Sequence, residues 1–458
     1  MSYDANIIYM RICFIPIDNR PVCYSLAKDI CAINEDIEIF IPPRDLFGSL
    51  TKYANTNAIF DWLYHLPRID SMILSLDTLA YGGLIPSRRV NNSFEEIKKR
   101  IERLKPIIAD KKVYAFSSIM RISNNNYNEE EKEYWNDWGK KIFEYSYNST
   151  KYWHTPKTDI PQDILQDYLS TRKRNFEINK MYLEWQNEGF FDTLIFSKDD
   201  CAEFGFNVEE AKELERLGGK TKTGADEIPL TLLARAVKKD INIYPLYTEP
   251  KYIDCISNYE DVSIEKSVLG QLELGGFNVV KSEKDADIVL VVNNFIEKQG
   301  ELVMGWTTQP FNRTFIPPTK PYAIADVRYA NGADNGLVSQ LFNSDLSLPE
   351  YGYAGWNTSA NTLGSLLAGI KVKFNAAKYN DRAYKKLQII RYLDDWAYQA
   401  NVRAEIEEPC DIKELMKPYE EMIFKKVEFA SSTNNENYIY PQYTYPWGRK
   451  FEVEVKID

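Results

Sequence analysis

Histidine is nearly absent. The 458 residues include two, His65 and His154, far apart in the chain. A zinc centre built on two or three imidazoles is excluded on that count, and so is any mechanism that needs several. The six cysteines, Cys13, Cys23, Cys31, Cys201, Cys255 and Cys410, form no C-x-x-C pair. Several sit in apolar strand or helix context, where reduced cysteine packs as a small hydrophobe, and a disulfide framework is not expected in so long a chain. No apolar run approaches the ~20 residues of a bilayer span, so no membrane partner is expected. The first residues, MSYDANIIYMRICFIPIDNRP, lack the basic, apolar and small-residue order of a secretory signal, and a cytoplasmic location is expected. There is no G-x-G-x-x-G, no Walker A sequence and no G-x-S-x-G elbow. Nucleotide binding and standard serine hydrolysis therefore have no motif behind them, and no cofactor or resident metal is expected.

Acidic residues outnumber basic ones, 67 to 56, for a net charge of -11. Such a chain repels a phosphate backbone on average, so nucleic acid is not the expected partner. Hydrophobic residues at 44% and charged residues at 27% are ordinary globular usage. Aromatics reach 14%, with 31 Tyr and 9 Trp, enough to fill a large core and still offer flat faces to a ligand.

Short apolar runs alternate with amphipathic ones. The strand-like runs are 11–17, 37–42, 71–76, 112–120, 193–197, 241–246, 287–292 and 322–327. They are rich in Ile, Val, Leu and Phe with little alternation, as strands buried on both faces of a parallel sheet are. Regular alternation with helical patterns predicts an α/β fold. Eight strands suggest a (β/α)8-like barrel; the alternative is two doubly wound sheets split near 220–240, with a site between them. Residues 10–370 form the expected catalytic domain, with a helical insertion at about 122–190. Residues 371–458 form an α+β extension with helices at 385–406 and 411–423 and strand-like runs at 428–431 and 450–457.

In α/β folds ligands gather at the carboxyl ends of strands. There stand Asp18 and Arg20 after the first run, Asp77, Tyr81 and Arg88 after the third, Arg121 after the fourth, and Asp199-Asp200 after the fifth. Asp326 lies in the eighth, followed by Asn331, Trp356 and Asn357. Asp18 and Asp226 also read as helix N-caps, and the later pair Asp394-Asp395 as a solvated helix face. Two close carboxylates supply an acid beside a base, as glycoside hydrolysis requires. The same aspartates could hold Mg²⁺ or Mn²⁺. Arg20, Arg88 and Arg121 would compensate their charge without a metal, or grip an anionic substrate. Trp356, Asn357 and the Asn361 amide resemble a sugar platform, a ring face beside donors and acceptors for hydroxyls. Thr358 or Ser359 is expected to cap the helix that follows.

The segments IPIDNRPVCY, SLDTLAYGGLIPSR, FSSIMR, FSKDDCAEFG, GADE, IADVRYANGAD and GYAGWNTSANTLG together resemble a large bacterial family, the DUF4127-like domain of unknown function. The resemblance spans about residues 10–370. It implies a cytosolic bacterial protein with these segments around a shared site, and it brings no activity with it.

The residues themselves point to a glycoside hydrolase-like enzyme acting on a sugar or glycoside. Asp200 is the expected general acid and Asp199 its partner. A variant assisted by the substrate's own N-acetyl group is open because the two acids are adjacent. Asp18, Asp77, Arg121, Trp356 and Asn357 would hold the sugar. The alternatives are a Mg/Mn-dependent hydrolase or phosphoryl-transfer enzyme, and a non-catalytic binding protein for a small polar molecule.

Overall fold

The computed structural model describes residues 10–154, 156–199, 201–237, 239–429 and 441–457. All eight apolar runs are strands, but they do not close. The first sheet is parallel and six-stranded. Its strands are β1 (Met10–Ile15), β2 (Ile37–Phe40), β3 (Ser71–Ser75), β4 (Lys112–Ile119), β5 (Thr193–Lys198) and β6 (Thr221–Thr223), in the order β2-β1-β3-β4-β5-β6. The second sheet is parallel and five-stranded. It joins β7 (Asn242–Tyr247), β8 (Asn278–Val279), β9 (Ile288–Asn293), β11 (Tyr322–Asp326) and β13 (Tyr353–Ala354), in the order β13-β11-β9-β7-β8. Between these, β10 (Gly300–Glu301) pairs with β12 (Tyr329–Ala330). The antiparallel hairpin β14 (Gln442–Thr444) and β15 (Glu454–Lys456) comes last.

The expected (β/α)8-like barrel is not formed, because the strands divide between two open sheets. The first sheet stops at β6, whose Thr-Lys-Thr sequence offers no apolar face to a further strand, and β7 starts a new sheet with β8 and β9. Apolar side chains point alternately to the two faces of each sheet. Cys13, Ile15, Met72, Leu74 and Val113 fill one core, and Ile12, Phe14, Ile73 and Phe116 fill another. In the second sheet Val289, Val291 and Ile324 face one way and Ile288, Leu290, Val292 and Ala325 the other.

Two helices tie the sheets together. Helix Ile228–Ala236 starts with Pro at N2 and is apolar almost all round, the pattern of a helix buried on every side. Helix Ser359–Phe374 lies against it. Leu232 and Leu233 share a core with Ala368 and Val372 beside the first sheet, while Ala234 packs with Leu363, Leu366 and Leu367 beside the second. Gly364 permits the close approach, since a Cβ there would come 2.5 Å from the Glu227 carbonyl oxygen. Truncating Leu232 or Leu233 to Ala is expected to cost about 2–5 kcal/mol.

The stretch between β4 and β5 carries helices Trp135–Tyr152 and Gln162–Asn187. Beyond the second sheet, helix Asp381–Arg391 runs into π-helical turns at Tyr392–Val402, followed by helix Lys413–Val427. The run expected as a strand at 428–431 holds Glu428 and Phe429 at that helix's end, and its other two residues lie outside the described ones. Long π stretches are rare and mark functional sites. This one supports three loops: the Asp395 carbonyl accepts from Ala333 N–H at 3.0 Å, the Asp395 carboxylate accepts from Gly355 N–H at 2.7 Å, and Gln399 donates to the Phe451 carbonyl at 3.4 Å. Asp395 is therefore fully buried and bonded to Arg391 at 2.6 Å, not part of a solvated face.

Candidate functional site

The strand order reverses between β1 and β3, where the connections after the two strands leave in different directions and open a crevice. Thr78 fastens its floor by donating to the Pro16 carbonyl at 2.7 Å. A cavity of about 210 Å³ opens above the carboxyl ends of the first sheet. Asp18 and Arg20 reach it from β1, Arg121 from β4, Lys198 and Asp199 from β5, and Gly224 and Asp226 from β6. The second half of the chain supplies Tyr259, Glu301, Asn331, Asn357 and Asn361, and the turn of the last hairpin adds Trp447, Arg449 and Phe451.

Arg20 is the hub of one side. Its guanidinium donates to Asp18 at 2.7 and 2.9 Å and to Asp226 at 2.5 Å. Asn357 also donates to Asp226, at 3.1 Å. Asp18 bonds the backbone N–H of Arg20 at 2.8 Å instead of capping a helix. Asp226 caps nothing either, because the N-cap of helix Ile228–Ala236 is Glu227. Gly224, at φ 90, sits where a Cβ would meet the Asn361 side-chain oxygen at 2.9 Å. Trp447 lies with its ring centroid 4.9 Å from the Arg20 guanidinium and 5.0 Å from that of Arg449, while its N–H donates to Asn19 at 2.7 Å.

The opposite side is a carboxylate–guanidinium network. Arg121 reaches Glu130 at 2.8 Å, Glu131 at 3.1 Å and Asp199 at 3.4 Å. Arg449 reaches Glu130 at 3.0 Å and Glu452 at 2.5 Å. Burial alone would raise the Glu130 carboxyl, but the charges of Arg121, Arg449, Arg88 and Arg20 hold it well below the ordinary value. Lys198 is paired with Asp261 at 2.6 Å.

Of the residues expected at the site, Asp18, Arg20, Arg121, Asp199, Asn331 and Asn357 line the cavity. Asp200 lies outside the described residues. Asp77, Tyr81, Arg88, Asp326 and Trp356 do not line it; all five are buried. Asp77 accepts the Ser118 N–H at 2.8 Å inside the first core, and burial pushes it up to about 7. Asp326 accepts from Asn293, Asp334 N–H and Tyr353, each at 2.8 Å, and burial followed by the Asp334 charge raises it to about 7. Arg88 lies behind the network, 3.5 Å from Glu131, 3.6 Å from Glu130 and 3.8 Å from Asp199. Trp356 packs at 5.9 Å from Phe451, so the indole on the wall is Trp447. Thr358 is an N-cap whose side chain accepts no cap bond, and Glu260 instead accepts the Ala360 N–H at 2.7 Å.

Glu130, Tyr259, Glu301, Trp447, Arg449 and Phe451 escape a reading based on strand ends. A faint signal existed in Trp-Gly-Arg at 447–449, an aromatic and a guanidinium in the turn of a hairpin.

Oxygen and sulfur atoms of Asp18, Cys23 and Asp226 lie within 4.8 Å of one another, a spacing a cation could use. The donor set fits poorly. The Arg20 guanidinium already bridges both carboxylates, and burial pushes the Cys23 thiol well above its ordinary value, away from the thiolate that binds metals.

Among the described residues no helix is long and apolar enough to cross a membrane. Comparison with curated proteins and with solved structures finds no match. One family model, described as protein of unknown function (DUF4127), matches residues 12–456. That range runs well past residue 370 and takes in the hairpin that finishes the cavity wall.

Proposed function

The chain belongs to the DUF4127 family, which passes on no activity, and from the cavity itself we propose a carbohydrate-active enzyme, a glycoside hydrolase working in the crevice between the two sheets. One observation carries this reading. Asp18, Asp199, Asp226 and Glu301, from four separate parts of the chain, meet on the wall of a single cavity beside an indole. At about 210 Å³ the space is smaller than the roughly 300–1,000 Å³ of drug-sized sites, which suits a group the size of one sugar ring. Carboxylates and amides offer partners to hydroxyls, and Trp447, Tyr259 and Phe451 add aromatic carbon to the wall for the C–H groups of a ring.

Glycosidic cleavage needs one carboxyl group to protonate the leaving oxygen and another to act from the opposite side. Asp199 is assigned as one of the two. Its counterpart is its neighbour Asp200 or Asp226, which follows the adjacent strand β6. The test is a panel of aryl glycosides assayed with the wild type and with Asp199→Asn, Asp200→Asn and Asp226→Asn. Loss of about 10²-fold or more in kcat is expected for the acid and its counterpart. Unchanged turnover in all three variants removes the assignment. A divalent-metal hydrolase is the weaker reading, because Arg20 fills the space between Asp18 and Asp226.

A further inference from the structure

The basic side chains of the wall are committed to the protein's own carboxylates. Arg20 faces two, Asp18 and Asp226. Lys198 holds Asp261 with bonds of 2.6 and 2.8 Å. Arg121 spends its guanidinium on Glu130, Glu131 and Asp199. Arg449 spends its own on Glu452, Glu130 and Glu129. In each group the carboxylates equal or outnumber the cations. An anionic substrate would have to break ion pairs that are already made, so the expectation that these arginines grip an anion is set aside.

Glu301 adds a further carboxylate, whose charge acts on the Arg403 guanidinium without an ion pair between them. It is fully buried at the cavity wall, accepts from the Asn331 amide at 2.6 Å and from the Met304 N–H, and forms no ion pair among the described residues. Arg403 stands behind Asn331, donating to the Asn331 carbonyl at 2.8 Å.

One further cation stands behind the opposite side of the wall. Arg88 is 1% exposed, and none of its three guanidinium nitrogens has a hydrogen-bond partner. It stands 3.6 Å from Glu130 and 3.8 Å from Asp199, both of which line the cavity. A buried guanidinium left without hydrogen bonds is costly. It is kept here by the charges of Glu130, Glu131 and Asp199, and with Arg121 and Arg449 it still faces a larger number of carboxylates on that side.

We infer that the cavity selects a sugar carrying a free protonated amine over neutral sugars and over sugar acids. This rests on reading the cavity as a sugar site. In a half-enclosed site, where charges are screened less than in water, the surplus of carboxylates attracts an ammonium group and repels a carboxylate.

The test measures binding to the full-length chain at mildly acidic pH and low salt, by titration calorimetry. The probes are glucosamine and galactosamine, their neutral parent sugars, and the corresponding uronates. An amine is expected to bind at least about tenfold tighter than its parent sugar, with the uronate weakest, and added salt is expected to narrow the gap. Glu301→Gln should narrow the ratio of amine to neutral-sugar affinity, and an unchanged ratio would overturn the inference. Should that variant fail to fold, the salt dependence of the wild type still decides. Uronate binding equal to or tighter than amine, or no binding of either amine, overturns the inference. Amine preference without turnover of any glycoside removes the hydrolase and keeps the selectivity; turnover of neutral glycosides without amine preference does the reverse.

Discussion

Arg20 and Asp226 stand 206 positions apart in the chain and meet at 2.5 Å. One follows the first strand of the first sheet, and the other follows the last. Their pairing joins the two ends of that sheet's strand sequence over the cavity, and Asn357 extends it into the second half of the molecule.

Removing the cation from this pair is therefore expected to cost more than removing one anion. Arg20→Met strands both Asp18 and Asp226 and is expected to lower unfolding free energy by about 3–5 kcal/mol. Asp226→Asn leaves Asp18 as partner and should cost about 1–2 kcal/mol. Urea unfolding of the two variants checks the order; equal costs would mean that the pair holds nothing together.

Stability should fall as the solution becomes alkaline through neutrality. Glu227 is buried where the two central helices meet, accepts the Ser365 N–H at 2.8 Å, and is pushed by burial up to about 8 from an ordinary 4.5. The unfolded chain gives up that proton near 4.5 and the folded chain near 8. The contribution is thus complete below 4.5 and is lost as pH climbs through that window. Glu227→Gln cannot ionise, so its melting temperature should change less with pH. Asp395, which burial raises to about 7, keeps part of the slope. Thermal melts across the range test this, and identical slopes for wild type and variant would refute it.

Asn357 lies on the cavity wall with φ 76, a left-handed conformation that a Cβ disfavours. Asn357→Ala and Asn357→Gly both lose the bond to Asp226, so the difference between them isolates the backbone. The glycine variant is expected to be more stable by about 1 kcal/mol. Equal unfolding energies would contradict the strain.

Trp447 holds two guanidiniums at its ring and Asn19 at its N–H. Trp447→Ala should cost about 1–2 kcal/mol for the two cation–ring contacts, at roughly 0.5–1 kcal/mol each, and weaken sugar binding. Trp447→Phe restores the ring but not the bond to Asn19, so it should fall between wild type and alanine in both melting temperature and affinity.

Most of the scaffold was legible because its strands are apolar on both faces. All eight long runs form strands within a few residues of where they read. Their grouping was not legible, because the elements that decide it leave no apolar run: β6 is Thr-Lys-Thr, and β8 and β13 are two residues each. For the site, nearness to a strand end is necessary but does not say on which side of the rim a side chain falls. Asp18 and Asp199 turn into the cavity, whereas Asp77 and Asp326 turn back to accept backbone N–H groups within the cores. Glu301 ends a two-residue pairing with a strand 29 positions on, Trp447 and Arg449 sit in the turn of a short hairpin, and no local periodicity announces any of them.

The wall supplied by Trp447, Arg449 and Phe451 sets an order of events during synthesis. Both parallel sheets are complete in a nascent polypeptide before those three residues leave the ribosome. Until the hairpin docks, Glu130 lacks its Arg449 partner and the crevice stands open to bulk water. The last-made turn is thus the part of the wall that turns an open crevice into a bounded cavity.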